Sequence, residues 1–170
     1  TPVSDLQVTI TAPNPAHNDA EIVCSATAQD PDSEDTLSYT YEWSNGALGD
    51  TLQLDSNTVP GSVVTCTATV TSRPTWDLTD NSDTLSAQQS ITIDNREPLI
   101  NSVTLPQDAT ETTTSFLCDV DATDADGETP MVSYTWYVDN GQVANETTDT
   151  LAAMYYTGQV VECRVTAADG

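Results

Sequence analysis

The chain contains no lysine. Three arginines and one histidine are its only basic side chains, against 27 aspartates and glutamates in 170 residues, and the formal net charge is −24. A surface this acidic repels a phosphate backbone, which excludes nucleic-acid binding. It offers no polybasic segment to an anionic membrane. No apolar run approaches the roughly 18 residues of a membrane-spanning helix. No charged n-region followed by an apolar h-region precedes Thr1, as expected of a mature or excised segment. Apolar residues make up 37% of the chain and there is one phenylalanine, a composition that with this charge would also suit disorder. The classes left are those of an acidic protein that avoids anions and attracts cations.

Several features oppose disorder. Threonine, a β-branched residue suited to pleated sheet, occupies 29 positions. The chain also matches itself. Ser38-Tyr39-Thr40-Tyr41-Glu42-Trp43-Ser44-Asn45-Gly46 aligns without a gap on Ser133-Tyr134-Thr135-Trp136-Tyr137-Val138-Asp139-Asn140-Gly141. Gly61-Ser62-Val63-Val64-Thr65-Cys66 aligns on Gly158-Gln159-Val160-Val161-Glu162-Cys163. Asp30 and Asp124 each lie six residues after a cysteine, and Asp50-Thr51-Leu52 recurs as Asp149-Thr150-Leu151. The order of these landmarks defines two copies, 1–95 and 96–170, each near the lower end of domain size.

Within each copy apolar residues alternate with polar ones, the period of a half-buried strand. The first copy has Leu6, Val8 and Ile10; Ile22, Cys24, Ala26 and Ala28; Tyr39, Tyr41 and Trp43; Val64, Cys66, Ala68 and Val70; and Ile91 and Ile93. The second has Val103 and Leu105; Phe116, Cys118, Val120 and Ala122; Tyr134, Trp136 and Val138; and Val161, Cys163, Val165 and Ala167. Asn45-Gly46 and Asn140-Gly141 are turn signals, because both residue types tolerate positive φ. An all-β sandwich is the expectation for each copy. The ungapped match sets Tyr41 against Trp136, so Trp43 is expected two residues further along the same face.

Each copy carries two cysteines at inward positions. Four cysteines permit three pairings. The repeat selects Cys24–Cys66 and Cys118–Cys163, one bridge inside each copy, running between sheets from the second strand to the sixth. The alternative is four reduced, buried thiols; zinc is disfavoured, with no short CxxC pair and a single His17. A bridge contributes about 2–4 kcal/mol, which matters in a domain too small to bury much apolar surface. Bridges imply an oxidising compartment.

The order Cys24…Trp43…Cys66 and Cys118…Trp136…Cys163 resembles the Cys–Trp–Cys pattern of immunoglobulin-like domains. The stretches Asp30-Pro31-Asp32…Tyr39-Thr40-Tyr41-Glu42-Trp43-Ser44-Asn45-Gly46 and Asp124-Ala125-Asp126-Gly127…Tyr134-Thr135-Trp136-Tyr137-Val138-Asp139-Asn140-Gly141, with the ending Gly158 to Gly170, are similar to the tandem Ig-like or PKD-like repeats of large secreted bacterial surface proteins. The resemblance covers nearly the whole chain. The tyrosine-corner position is Val64 or Val161, and the WDFGDG core of true PKD repeats is absent. It implies two tandem immunoglobulin-like β-sandwiches, 1–95 and 96–170, at an extracellular or cell-surface location.

In the first copy a long loop, 71–86, precedes a last strand over 87–94. No counterpart follows Asp169-Gly170, so the second domain is expected to lack its last strand. A longer parent chain, donation of a strand by another subunit, or tolerance of six strands would each account for this.

Chemistry concentrates in the acidic loops. Asp30, Asp32, Glu34 and Asp35 share one, and Asp124, Asp126 and Glu128 the other. Alternating aspartates aim several carboxylates at one volume, and Ca²⁺ takes six to eight oxygens. Neither loop completes an EF-hand. The resemblance sets the second loop beside the linker Asp94-Asn95-Arg96-Glu97-Pro98, so Asp94, Glu97, Asp124, Asp126 and Asp169 are candidate ligands at a joint, with Asp30 and Asp32 in the first copy. The competing reading is solvated turn residues. Trp76, in the loop with Arg73 and Asp77, is a candidate for stacking on a sugar or anchoring a partner.

No catalytic residue set emerges. There is no Gly-x-Ser-x-Gly elbow, phosphate-cradling loop or pair of metal-ligating histidines. The expected function is a non-enzymatic structural or adhesive module of an extracellular surface protein, stalk or fibre. It requires no cofactor, though Ca²⁺ is a candidate, and its partners are neighbouring domains or copies of itself. The alternatives are a carbohydrate- or protein-binding accessory module of a secreted protein, with a glycan or a cell-surface protein as partner, and a fibre subunit assembled by strand donation.

Overall fold

The computed structural model describes residues 2–32, 34–75, 82–106, 113–152 and 158–169. The chain divides into two compact units, Thr1–Asn95 and Arg96–Gly170. Among the described residues there are only strands and turns, with no helix, and every strand pairing is antiparallel.

Unit 1 contains β1 (Ser4–Thr11), β2 (Glu21–Gln29), β3 (Asp35–Trp43), β4 (Thr51–Gln53), β5 (Val63–Pro74) and β6 (Asp83–Thr92). They form two three-stranded sheets, β1-β2-β4 and β3-β5-β6. Alternation places one face of each strand inward: along β5, Val64, Cys66, Ala68 and Val70 are buried while the threonines between them are not. Ile22, Cys24 and Leu52 from one sheet share a core with Trp43, Val64 and Cys66 from the other. The Cys24–Cys66 disulfide joins β2 to β5, the fifth strand of the unit, with a Cα–Cα distance of 6.4 Å. Two sheets with one core between them are consistent with a β-sandwich.

Unit 2 contains β7 (Leu99–Thr104), β8 (Ser115–Leu117), β9 (Asp119–Thr123), β10 (Met131–Val138), β11 (Gly141–Gln142), β12 (Thr150–Ala152) and β13 (Val161–Ala168). Their orders are β7-β9, β12-β8 and β11-β10-β13. The single strand expected through Phe116 and Ala122 is divided at Cys118, whose N–H donates to Asp149 O at 2.7 Å. Cys24 makes the same bond, to Asp50 O at 2.7 Å, inside an unbroken β2. Phe116, Cys118, Trp136 and Leu151 form the buried core, and Cys118–Cys163 crosses it.

Two expectations need correction. The first is the displacement of the core tryptophan. Trp43 pairs with Cys66 and Trp136 pairs with Cys163, so the two indoles occupy the same place relative to their disulfides. Each is buried, and each Nε1–H donates to a carbonyl at 2.9 Å, Gly49 O or Thr148 O. The two-residue difference is absorbed by the hairpin. In unit 2 the loop is Asp139-Asn140, both at positive φ (50° and 68°), which a two-residue I′ turn requires. In unit 1 the strand turns two residues earlier, relative to its disulfide, through Ser44-Asn45-Gly46. Trp43 N–H there donates to Ala47 O, and φ is 85° at Gly46. The turn in unit 2 is thus Asp-Asn rather than Asn-Gly, and Gly141 opens β11.

The second correction concerns the loop over 71–86. β5 continues to Pro74 and β6 begins at Asp83, with Thr71 opposite Thr84 and Ser72 opposite Asp83. The inward alternation runs on through Val70 and Ser72 to meet Leu85, and the Thr69 and Ser86 hydroxyls pair at 2.8 Å.

Candidate metal site

In unit 1 the segment after β2 turns sharply at Asp30, whose Oδ1 accepts the Asp32 N–H at 2.8 Å. One carboxylate oxygen from each of Asp30, Asp32 and Asp35 falls within 4.8 Å of the others. The cluster contains its own donor. Ser72, buried on β5, donates its hydroxyl to Asp30 Oδ2 at 2.5 Å and lies 3.4 Å from Asp35 Oδ2. The Ser72 hydroxyl, then the Asp32 N–H, holds the Asp30 carboxyl below the ordinary range.

Unit 2 repeats the turn but assembles a different set of carboxylates around it. Asp124 Oδ1 accepts the Asp126 N–H at 2.6 Å, the same turn as Asp30. Ser72 stands six residues after Cys66, and the residue six after Cys163 is Asp169. A hydroxyl donor is therefore replaced by a carboxylate that donates nothing when ionised. Asp124 Oδ2, the counterpart of the oxygen that Ser72 satisfies, is buried with no hydrogen-bond partner among the described residues. Oxygens of Asp124, Glu128 and Asp169 lie within 4.8 Å of one another. Glu128 is raised above the ordinary glutamate range, by desolvation first and then by the charges of Asp124, Asp169 and Asp126.

The other candidate ligands have separate roles. Asp126 is buried, and Arg96 engages both its oxygens, N–H to Oδ2 at 2.6 Å and Nε to Oδ1 at 2.8 Å. Asp94 belongs to unit 1, where its Oδ2 accepts the Ala16 N–H at 3.1 Å and its N–H donates to Ala16 O at 2.7 Å. The His17 ring nitrogen Nδ1 lies 3.1 Å from Asp94 O. That clip ties the turn before β2 to the end of β6. Glu97 is exposed and outside the acidic cluster. Trp76 and Asp77 lie outside the described residues. Sequence reasoning missed Ser72 as the donor of the first cluster and Arg96 as the partner of Asp126. With three arginines against 27 acids, each cation was a signal worth following.

The sign of the Glu128 shift gives a test. Its native value is raised, so the native state holds the proton more tightly than the unfolded chain does. Stability falls as pH rises from the ordinary glutamate range through the raised native value, and the cost persists above it. Glu128→Gln is expected to stabilise unit 2 at pH 7 and to match the parent at about pH 3. Urea unfolding at both pH values measures this, and a gap of equal size at both would count against the cause given. Asp30 has the opposite sign: Asp30→Asn costs stability at neutral pH and little in acid.

A cleft of about 250 Å³ in unit 1, lined by Leu52, Leu54, Val59 and Val64 with serine, threonine and asparagine, contains no titratable side chain. No protein-family model, curated protein or solved structure matches this chain.

Proposed function

We propose that this chain is a non-enzymatic extracellular structural module. Its units would be tandem immunoglobulin-like sandwiches, serving as spacer or adhesive segments of a bacterial surface protein, stalk or fibre. One observation carries the reading: the same clamp occurs twice. In each unit a disulfide crosses the core, with a buried tryptophan paired to its second cysteine. Such bridges favour an oxidising compartment. Under tension a clamped unit extends only through residues outside its bridge.

A second observation adds Ca²⁺ to unit 2. The orphaned Asp124 Oδ2, with Asp169 in the place of Ser72, makes a cluster that a hard cation would neutralise and a hydroxyl would not.

Single-molecule pulling tests both readings. Intact chain should hide 42 and 45 residues behind its bridges, and reduction should lengthen the extension by roughly 140–160 Å per unit. Millimolar Ca²⁺ should raise the unfolding force of unit 2 in the parent and leave Asp169→Ser unchanged. A parent indifferent to Ca²⁺ removes the cation. Equal extension before and after reduction removes the clamp. Glycan binding that disappears in Trp76→Ala would instead identify an accessory binding module.

A further inference from the structure

Trypsin-like proteases cut after lysine or arginine and hold that side chain on a carboxylate of their own pocket. In 170 residues this chain offers them three arginines and no lysine. Each arginine is closed to them by a different device. The bond after Arg73 runs to Pro74, whose ring nitrogen carries no hydrogen and which these enzymes do not cleave. Arg164 lies inside β13, opposite Thr135 of β10. Its Nε donates to Glu162 Oε1 at 2.7 Å and a second guanidinium nitrogen to Oε2 at 3.1 Å, and the group stands 4.1 Å from the centre of the Tyr137 ring. Arg96 differs in its backbone, because it falls between β6, which ends at Thr92, and β7, which begins at Leu99. Connecting segments of this kind are where folded chains are usually nicked. Here the segment is pinned. Arg96 N–H donates to Asp126 Oδ2 at 2.6 Å and its Nε to Oδ1 at 2.8 Å, and Asp126 is only 3% exposed. Asp126 is held in turn, its own N–H donating to Asp124 Oδ1 at 2.6 Å.

We infer that the chain is proofed against proteases that cut after lysine or arginine, and that Asp126 guards the one such bond lying outside a strand, Arg96–Glu97. Hydrolysis there would add one water, leaving a carboxylate on Arg96 and an amine on Glu97. Each disulfide lies within one unit, so the cut would divide the chain into 1–96 and 97–170 with nothing covalent between them. Cleavage requires the segment to be drawn out of the fold, and its rate in a folded chain follows the population of that opened form. Asp126 lowers this population by holding the main chain and the side chain of Arg96 at once, through charge-assisted hydrogen bonds. It also occupies the guanidinium with the same chemistry that the protease pocket would use. A lysine in any exposed loop would offer a site that none of these three devices covers, which gives the absence of lysine a physical consequence. This protection is independent of the adhesive role and of Ca²⁺.

The test is limited digestion of the full, disulfide-intact chain with trypsin, the fragments being identified by mass. The parent should persist for as long as unit 2 stays folded. Arg96→Lys keeps a cleavable residue but loses the planar fork, and Asp126→Ala removes the carboxylate. Each should be cut after residue 96 on the order of tenfold faster than the parent. Cutting after Trp136 by a chymotrypsin-like protease reports unfolding of unit 2. It should be unchanged in Arg96→Lys, which decides the matter if Asp126→Ala does not fold. In urea with reductant, the chain should be cut after Arg96 and Arg164 while the Arg73–Pro74 bond survives. Rapid cleavage of the folded parent after Arg96 or Arg164 overturns the inference. So does an Arg96→Lys chain cut no faster than the parent, because the segment would then be shielded without Asp126.

Discussion

Replacing Cys118 and Cys163 with alanine is expected to remove the folding transition of unit 2 from the physiological range while unit 1 still melts cooperatively. The bridge closes 45 residues, and the chain-entropy relation assigns a loop of that length about 4 kcal/mol. A domain of this size has a total stability of about 4–11 kcal/mol, so the loss takes a third of it at the least. The Cys24–Cys66 loop, 42 residues, carries nearly the same entropy. The units differ in what remains. Unit 1 keeps Ile22, Trp43, Leu52, Leu54, Val64 and Ile93 in one cluster and Val3, Leu6 and Val70 in another. Unit 2 keeps Phe116, Trp136 and Leu151.

Calorimetry of the double variant measures this. At roughly 4–8 °C per kcal/mol, the midpoint of unit 2 should fall by at least about 15 °C. A fall under about 5 °C would show that the bridge does not dominate unit 2. The half-buried Cys163 also sets an order of reduction. Mild reductant should open Cys118–Cys163 before Cys24–Cys66, whose sulfur-bearing residues are 1% and 0% exposed, and alkylation mapping would reveal the sequence of events.

Much of this architecture was legible in the residues because strands advertise themselves by a period of two. Ile22 to Ala28 and Val64 to Val70 alternate without interruption, and the paired cysteines mark which strands face each other. The same period explains the main error. Sliding a strand by two residues returns every side chain to its own face, so parity cannot detect the slip. The ungapped match of Ser38–Gly46 with Ser133–Gly141 preserved parity and turn residues, yet misaligned the tryptophans. Pairing each indole with its cysteine resolves the register, and that is a cross-strand fact absent from local sequence. Length misled in the same way over 71–86, of which 71–74 and 83–86 continue as strand, with the Ser86 hydroxyl paired to that of Thr69. The acidic loops were visible as loops. Their electrostatics were not, because each cluster is completed by a group from elsewhere in the chain, Ser72 on β5 or Asp169 after β13.

Trp136→Ala should unfold unit 2 outright. The indole is fully buried between Phe116, Leu151 and the disulfide, and truncating a buried tryptophan costs about 3–5 kcal/mol. It also removes the indole donor to Thr148 O, a bond of 2.9 Å whose loss leaves a carbonyl facing the cavity. Trp136→Phe separates the two contributions. It restores most of the apolar volume but not the Nε1–H, so its cost should be smaller, about 1–3 kcal/mol. Trp43→Ala makes the reciprocal statement for unit 1, through Gly49 O at the same distance. Near-ultraviolet circular dichroism and calorimetry on the three variants give the comparison. If the two units are separate folding units, Trp136→Ala abolishes one transition and leaves the other at its parental midpoint, and Trp43→Ala does the reverse. A single substitution that erased both transitions would mean the units fold as one, and the stability assigned here to each core would then belong to the whole chain.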